Sequence, residues 1–227
     1  PAIELGAEIR SGGLGTVLES HLDSVPVGST VFGMDGWQQY SVMGADATVI
    51  PEGVDPEAAL SVFGVTGLPA YFGLLEIGQL VEGETVLVSG AAGATGSVVG
   101  QIAKLKGCQV VGLAGSDEKC AWLTDQLGFD AAINYKTEDV RSAIREHCPK
   151  GVDVFFDNVG GDILEAAIGN LALRGRVVMC GAISQYNDAT PSPGPNNLST
   201  LISKRGHKEG RKNKDIQEKY AAAIAAH

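Results

Sequence analysis

Thr85-Val-Leu-Val-Ser-Gly-Ala-Ala-Gly-Ala-Thr-Gly96, running on into Ser97-Val-Val-Gly-Gln-Ile-Ala-Lys-Leu-Lys106, decides the fold. An apolar, β-branched run ends in Gly90, Gly93 and Gly96, after which Val98, Val99, Ile102, Ala103 and Leu105 fall at helical spacing. The pattern predicts a strand, a tight turn and a helix. Such a turn points backbone N–H groups and the positive end of a helix dipole at an anion, as a dinucleotide pyrophosphate requires. The spacing is Gly-x-x-Gly-x-x-Gly and not the commoner Gly-x-Gly-x-x-Gly, so the flanking elements must carry the assignment.

Those elements alternate strictly. A strand is expected at Gln109 to Ala114, a helix from Asp117 to Leu127, a strand at Ala131 to Asn134 and a helix from Glu138 to His147. A strand at Val152 to Phe156, a helix near Ile163 to Leu171 and a strand at Arg176 to Cys180 follow. Short apolar runs alternating with amphipathic segments read as an α/β, Rossmann-type doubly wound parallel sheet. Glycine turns also occur in α/β domains that bind no nucleotide, and it is the whole series of βα units that favours a nucleotide here.

The tip of the second strand bears on which nucleotide. A free ribose 2′-OH usually meets an Asp or Glu about 20 residues past the glycine turn. Leu113-Ala114-Gly115-Ser116 offers no acid there, and Lys119 lies one helical step beyond. Small residues with a nearby lysine suit a 2′-phosphate, which favours NADP(H) over NAD(H). The competing reading makes Lys119 a solvated helix residue and lets Asp117 replace the missing acid.

Composition narrows the partners. The 227 residues carry a formal charge of −10, which disfavours nucleic acid and anionic membranes. No apolar run approaches the roughly 20 residues of a membrane-spanning helix, and no leader pattern opens the chain. The four cysteines, Cys108, Cys120, Cys148 and Cys180, form no Cys-x-x-Cys pair, and none of the four histidines pairs with another at ligand spacing, so no metal site is expected. Thiols of this kind fit a reducing compartment. Asn197-Leu198-Ser199 is read as a chance sequon. Because the first residue is Pro1, the chain is expected to be incomplete.

Residues 1–56 have another texture. Leu14 to Glu19, Val25 to Gly33 and Trp37 to Met43 are short β-like runs between Gly, Pro and Asp turns. Pro51 to Pro56 is a turn-rich link. Glu57 to Leu80 is apolar helical material broken at Gly64, Gly67 and Pro69. Nucleotide chemistry is therefore placed in residues 57–227.

Gly36-Trp-Gln-Gln-Tyr40, Gly64-Val-Thr-Gly-Leu-Pro-Ala-Tyr-Phe-Gly-Leu-Leu75 and Val88 to Lys104, in that order, resemble the zinc-independent medium-chain dehydrogenase/reductases. Gly115 to Cys120, Asn134-Tyr-Lys136, Phe156-Asp-Asn-Val-Gly-Gly161 and Cys180-Gly-Ala-Ile-Ser-Gln-Tyr-Asn187 are similar to the prostaglandin reductase, 2-alkenal reductase and curcumin reductase branch. The likeness runs from Pro1 to about Gly210. It implies that residues 1–56 are the C-terminal part of a GroES-like β-domain, that residues 57–227 are the Rossmann domain, and that both ends of the chain are incomplete. It further implies that Gly93, Ala94, Thr95 and Gly96 hold the pyrophosphate of NADP(H), that Lys119 and Tyr135 flank the adenosine phosphate, and that Asn158 with Cys180, Gly181, Ala182, Ile183, Ser184, Gln185 and Tyr186 lines the cofactor.

The activity implied is hydride transfer to the β-carbon of an α,β-unsaturated aldehyde or ketone, followed by protonation of the enolate, with Tyr186 the first candidate for a catalytic phenol. Zinc-dependent members carry a cysteine ligand where this chain has Val62. Ser203 stands where some members have a tyrosine, and Arg211 to Ile216 replaces an apolar strand with charge. Quinone reduction and a catalytically silent NADPH-binding role are the alternatives. The expected setting is cytoplasmic, the partner a small enal or enone, and the assembly a homodimer.

Overall fold

The computed structural model describes residues 3–44, 47–188, 190 and 193–210, and the chain divides into two compact units, Pro1–Gly64 and Val65–His227. In the first unit β1 (Gly13–Thr16), β2 (Thr30–Gly33) and β3 (Thr48–Val49) form an antiparallel sheet in that order. The helix α1 (Pro56–Leu60) packs on β1. It starts where the sequence supplies a cap: the Asp55 carboxylate accepts the Glu57 N–H at 2.9 Å, with Pro56 at the first helical position.

The β-like run Trp37 to Met43 is a correction, because it forms no strand. The Gln38 side-chain amide donates to the Asp35 carbonyl and the Ser41 hydroxyl to the Asp35 carboxylate, which folds the segment back on itself. Trp37 is 77% exposed, so no buried face rewards extended pairing.

The second unit opens with α2 (Gly67–Phe72) and a π-helical turn, Gly73–Ile77. Then come β4 (Thr85–Val88), α3 (Ala94–Leu105), β5 (Gln109–Ala114), α4 (Asp117–Asp125), β6 (Ala131–Asn134), α5 (Val140–His147) and β7 (Val152–Asp157). The chain continues with α6 (Gly161–Gly169), β8 (Leu171–Met179), a 3₁₀ turn at Ile183–Gln185, α7 (Ser199–Lys204) and β9 (His207–Glu209). The strands form one parallel sheet in the order β6-β5-β4-β7-β8-β9.

Alternate residues of each central strand feed opposite faces. Val86, Val88, Val154 and Phe156 pack with Val99, Ala103 and Leu123 on one side. Leu87, Val111, Phe155 and Val177 pack with Ile144, Leu164 and Ile168 on the other. Both faces are covered, which is why β4 is apolar throughout instead of alternating.

The order places the reversal of winding between β4 and β7. Open α/β sheets bind ligands in the crevice beyond the carboxyl ends of the strands flanking that point. The register aligns Val88 with Gly112 and with Phe156, so β4, β5 and β7 end within two residues of one another along that edge.

Most element ends of the second unit fall within two residues of the sequence reading, and two departures are larger. The last sheet strand before the 3₁₀ turn begins at Leu171, ahead of the expected Arg176, and its pairing with β7 shifts register between Val152 and Val154. Arg174 there has φ +64°, the irregularity that hides the strand from a period-two reading. The helical material from Glu57 to Leu80 resolves into α1, α2 and the π-helical turn.

Candidate functional site

The turn after β4 is built from close backbone approaches. Gly90 has φ +56° and its carbonyl accepts the Gly93 N–H at 2.9 Å. Gly93 is the N-cap of α3, and the first N–H to close back is that of Ser97, onto the Gly93 carbonyl at 2.9 Å. The N–H groups of Ala94, Thr95 and Gly96 thus sit in the first turn, where a helix offers them no partner. Gly93 and Ala94 are exposed, and Gly96 is buried against the turn. This arrangement suits a diphosphate at the positive end of α3.

Across the winding reversal, β7 ends in a buried polar network. Asp157 is 0% exposed, and its Oδ1 accepts the Ser89 hydroxyl at 2.8 Å and the N–H groups of Val159 and Gly160, each at 3.0 Å. Ser89 Oγ in turn accepts the Asn158 N–H at 2.8 Å, and Asn158 Nδ2 donates to the Ser89 carbonyl at 2.8 Å. Burial pushes the Asp157 carboxyl above the usual carboxylate range, while the bonds from Gly160, Val159 and Ser89 pull it back. Ser89 therefore ties the ends of β4 and β7 together and fixes Asn158. Its importance was not read from the sequence, although a serine between apolar Val88 and the turn has to find a partner once buried.

The segment after β8 is laced to this network. Cys180 and Gly181 donate their N–H groups to the Asp157 carbonyl at 2.9 and 3.0 Å, and Ile183 donates to the Asn158 carbonyl at 3.2 Å. The Val159 carbonyl takes the Ser184 N–H at 3.2 Å and the Ser184 hydroxyl at 2.6 Å. Tyr186 folds its phenol back so that Oη accepts the Ala182 N–H at 3.1 Å, and Gln185 donates to the Ala182 carbonyl at 2.9 Å. Asn158 and the Cys180 to Tyr186 segment are thus brought together. Ser203 lies on α7, its hydroxyl bonded back to the Thr200 carbonyl at 3.0 Å, and Arg211 to Ile216 falls outside the described residues.

A second patch forms at the tips of β5 and β6. Ser116 caps α4 by accepting the Lys119 N–H at 3.3 Å, which sets Lys119 in the first turn with its side chain exposed. Among the described residues no carboxylate pairs with the Lys119 ammonium. The Tyr135 phenol lies over Gly115, where an added Cβ would come within 2.6 Å of Oη. The missing acid at this tip and the tyrosine above it are one steric fact.

Among the described residues no group of three or more His, Cys, Asp or Glu is placed to hold a metal ion. No helix among them is long and apolar enough to cross a membrane.

Prostaglandin reductase 1 of Bos taurus is 49% identical over 201 residues, covering 86% of this chain and 60% of that protein. The 2-alkenal reductase (NADP(+)-dependent) of Nicotiana tabacum is 43% identical over 210 residues, covering 90% of this chain and 61% of that protein. The chain thus spans about three fifths of the length of these curated relatives. The crystal structure of CurA in complex with NADPH from Vibrio vulnificus matches with a TM-score of 0.83 at 38% identity, over 95% of this chain and 67% of that one. A family profile described as zinc-binding dehydrogenase fits residues 94–225, from the helix after the glycine turn onward. Sheet order, turn and relatives agree, and the chain belongs to the medium-chain dehydrogenase/reductase family, in the branch of the prostaglandin, 2-alkenal and curcumin reductases.

Proposed function

We propose that this chain is the greater part of an NADPH-dependent reductase of the carbon–carbon double bond in α,β-unsaturated aldehydes and ketones. The observation that carries the reading is the pairing of an acid-free β5 tip, covered by Tyr135 and flanked by Lys119, with the glycine turn at the start of α3. One patch suits a 2′-phosphate and the other a diphosphate. The names of the bovine and tobacco relatives and the NADPH in the Vibrio structure support the same assignment.

In this reading Gly93, Ala94, Thr95 and Gly96 hold the pyrophosphate, Lys119 and Tyr135 hold the 2′-phosphate, and Asn158 with Cys180 to Tyr186 lines the nicotinamide side. NADPH, when bound, supplies hydride to the β-carbon of the enone. The chain's part is to orient that carbon, exclude water and place a donor at the carbonyl oxygen, where negative charge develops. Tyr186 is the proposed donor: its Oη accepts from Ala182 and keeps its own O–H to give.

Residues 1–56 are proposed as the C-terminal part of a GroES-like β-domain and residues 57–227 as the Rossmann domain. Zinc has no role in the proposal, supported by Val62 where zinc-dependent members carry a cysteine ligand. A cytoplasmic homodimer completes it.

NADPH consumption against a panel of enals, enones and quinones tests the reading. Turnover of enals and enones with NADPH, and little with NADH, is the expected result; equal affinity for the two cofactors would sink it. Lys119→Ala should weaken NADPH by about 10- to 100-fold and leave NADH nearly unchanged, as befits a charge-assisted phosphate contact. Dissociation constants for both cofactors check this directly.

Tyr186→Phe keeps the ring and removes the donor, so kcat should fall by roughly 10²-fold with cofactor affinity little altered. Steady-state kinetics alongside NADPH titration separate the two quantities. Lost NADPH affinity at unchanged kcat would make Tyr186 a cofactor contact instead.

A further inference from the structure

Two acids near the β5 and β6 tips, Asp117 and Glu138, are engaged by a single buried residue, Asn134. Its side-chain amide donates to Asp117 Oδ1 at 2.6 Å, and its backbone N–H donates to Glu138 Oε1 at 2.6 Å. The amide orientation is fixed, since Asn134 Oδ1 accepts the Lys136 N–H at 3.1 Å and the nitrogen must therefore face Asp117. The backbone turn is closed as well: Thr137 and Glu138 donate to the Asn134 carbonyl at 3.1 and 3.0 Å, and Tyr135 donates to the Ala114 carbonyl at 3.1 Å. Asn134 is 6% exposed, which leaves its amide little room to turn elsewhere.

Asp117 is the acid that would otherwise serve a ribose 2′-OH. It opens α4 two residues after Gly115, on the same turn as Lys119. A carboxylate free to swing toward Lys119 would neutralise that lysine and repel a 2′-phosphate. Held by Asn134, it is turned toward β6, and Lys119 stays without a carboxylate partner among the described residues. Both carboxylates, after burial, also push the Cys120 thiol up.

We infer that Asn134 is a specificity-determining positioning residue: it latches Asp117 away from the adenosine ribose and so lets the β5 tip accept a 2′-phosphate. The inference rests on the NADPH reading and adds to it a residue that touches no cofactor. Its action is on a ratio. Loss of the latch should turn the tip from phosphate-accepting toward hydroxyl-accepting, with NADP(H) weakened and NAD(H) held or tightened.

Titrating NADP⁺ and NAD⁺ separately into the parent chain, Asn134→Leu, Asp117→Ala and the double variant tests this by binding alone. The leucine keeps the buried volume and deletes the amide. Asn134→Leu should lower the NADP⁺ to NAD⁺ affinity ratio by about 10-fold, the scale of one like-charge juxtaposition. The double variant should regain the parent ratio, because the carboxylate that does the harm is gone. Asp117→Ala alone should shift the ratio by less than about 3-fold, since a latched carboxylate is already out of the way.

A merely structural Asn134 would weaken both nucleotides together, and that result overturns the latch. Should Asn134→Leu fail to fold, Asp117→Ala still decides: a rise in NADP⁺ affinity of about 10-fold or more would show that Asp117 already opposes the phosphate in the parent chain. A parent preference for NADP⁺ that survives Asn134→Leu overturns the latch and leaves the NADPH reading standing. Equal parent affinities overturn both.

Discussion

Gly96→Ala is expected to weaken nucleotide binding by about 100-fold or more and to destabilise the second unit, although it adds one methyl group. A Cβ there would lie 2.3 Å from the Gly90 carbonyl oxygen, 2.8 Å from Ala91 Cα and 3.0 Å from the Gly90 carbonyl carbon. All three are backbone atoms, so no change of rotamer relieves the clash and the turn itself must open. Opening it moves the N–H groups of Ala94 and Thr95 away from the proposed diphosphate position. With charge-assisted bonds worth roughly 1.5–3 kcal/mol each, losing two weakens NADPH by ~100-fold or more. Forced overpacking of the turn adds about 1–3 kcal/mol of instability.

Gly100→Ala provides the contrast. Its Cβ would fall 1.8 Å from Phe129 Cζ, a worse overlap on paper, but with a side chain. A smaller residue at 129 should therefore rescue Gly100→Ala and do nothing for Gly96→Ala. Urea denaturation and NADPH titration of the two series distinguish them, and an unaltered dissociation constant for Gly96→Ala would remove the glycine turn from the site.

The parallel sheet was legible because its strands are buried on both faces and its helices on one, two patterns that differ in the sequence itself. β5 and β6 fall at the expected residues, and β7 runs one residue further, to Asp157. What escaped reading depends on partners distant in sequence. The strand starts early at Leu171, ahead of Arg174 and Gly175, because Val152 pairs with Leu171, a neighbour that no local pattern reveals. Trp37 to Met43 has strand-like composition and no buried face to use it on.

The site divides in the same way. The glycine turn and Lys119 are local signals, spaced along one βα unit. Ser89 and Asn134 act across 68 and 17 residues of sequence to Asp157 and Asp117, and a single polar residue at the end of an apolar run does not announce which group it will meet. The hydrogen bond from Asn134 turns Asp117 toward β6, and the titrations of the Asn134 and Asp117 variants decide between the two readings of Asp117 left open by the sequence.

Arg176→Met is expected to cost about 1.5–3 kcal/mol of stability, the scale of losing hydrogen bonds to a charged group in a partly buried ion pair. Arg176 on β8 donates Nη1 and Nη2 to the two oxygens of Glu84 at 2.7 and 2.6 Å. Its Nε reaches the Gly78 carbonyl at 2.8 Å and Nη2 also reaches that of Gln79 at 3.2 Å. The guanidinium thus closes the carboxyl end of the π-helical turn, where Gln79 takes φ +45°, and binds it to a strand 98 residues later in sequence.

The side chains of Arg176 and Glu84 are only 18% and 19% exposed, so water cannot replace the lost bonds fully. Glu84 also accepts the Val81 N–H at 2.9 Å, which holds its carboxylate in place after the arginine is gone. Arg176→Lys keeps the charge and loses the fork, and should recover only part of the loss. The combined Arg176→Met and Glu84→Leu variant should be more stable than Arg176→Met alone, since exchanging both partners of a largely desolvated pair for apolar groups leaves no unmatched charge. Urea midpoints for the parent, Arg176→Met, Glu84→Leu and the combined variant measure the coupling, with Arg176→Lys read alongside. A single variant within about 0.5 kcal/mol of the parent would mean that the pair behaves as a solvated surface bridge. The closure of the π-helical turn would then have to come from packing, with Gly73 against Phe156 and Gly78 against Val154, where added Cβ atoms would sit 2.9 and 3.3 Å from the rings and methyls they meet.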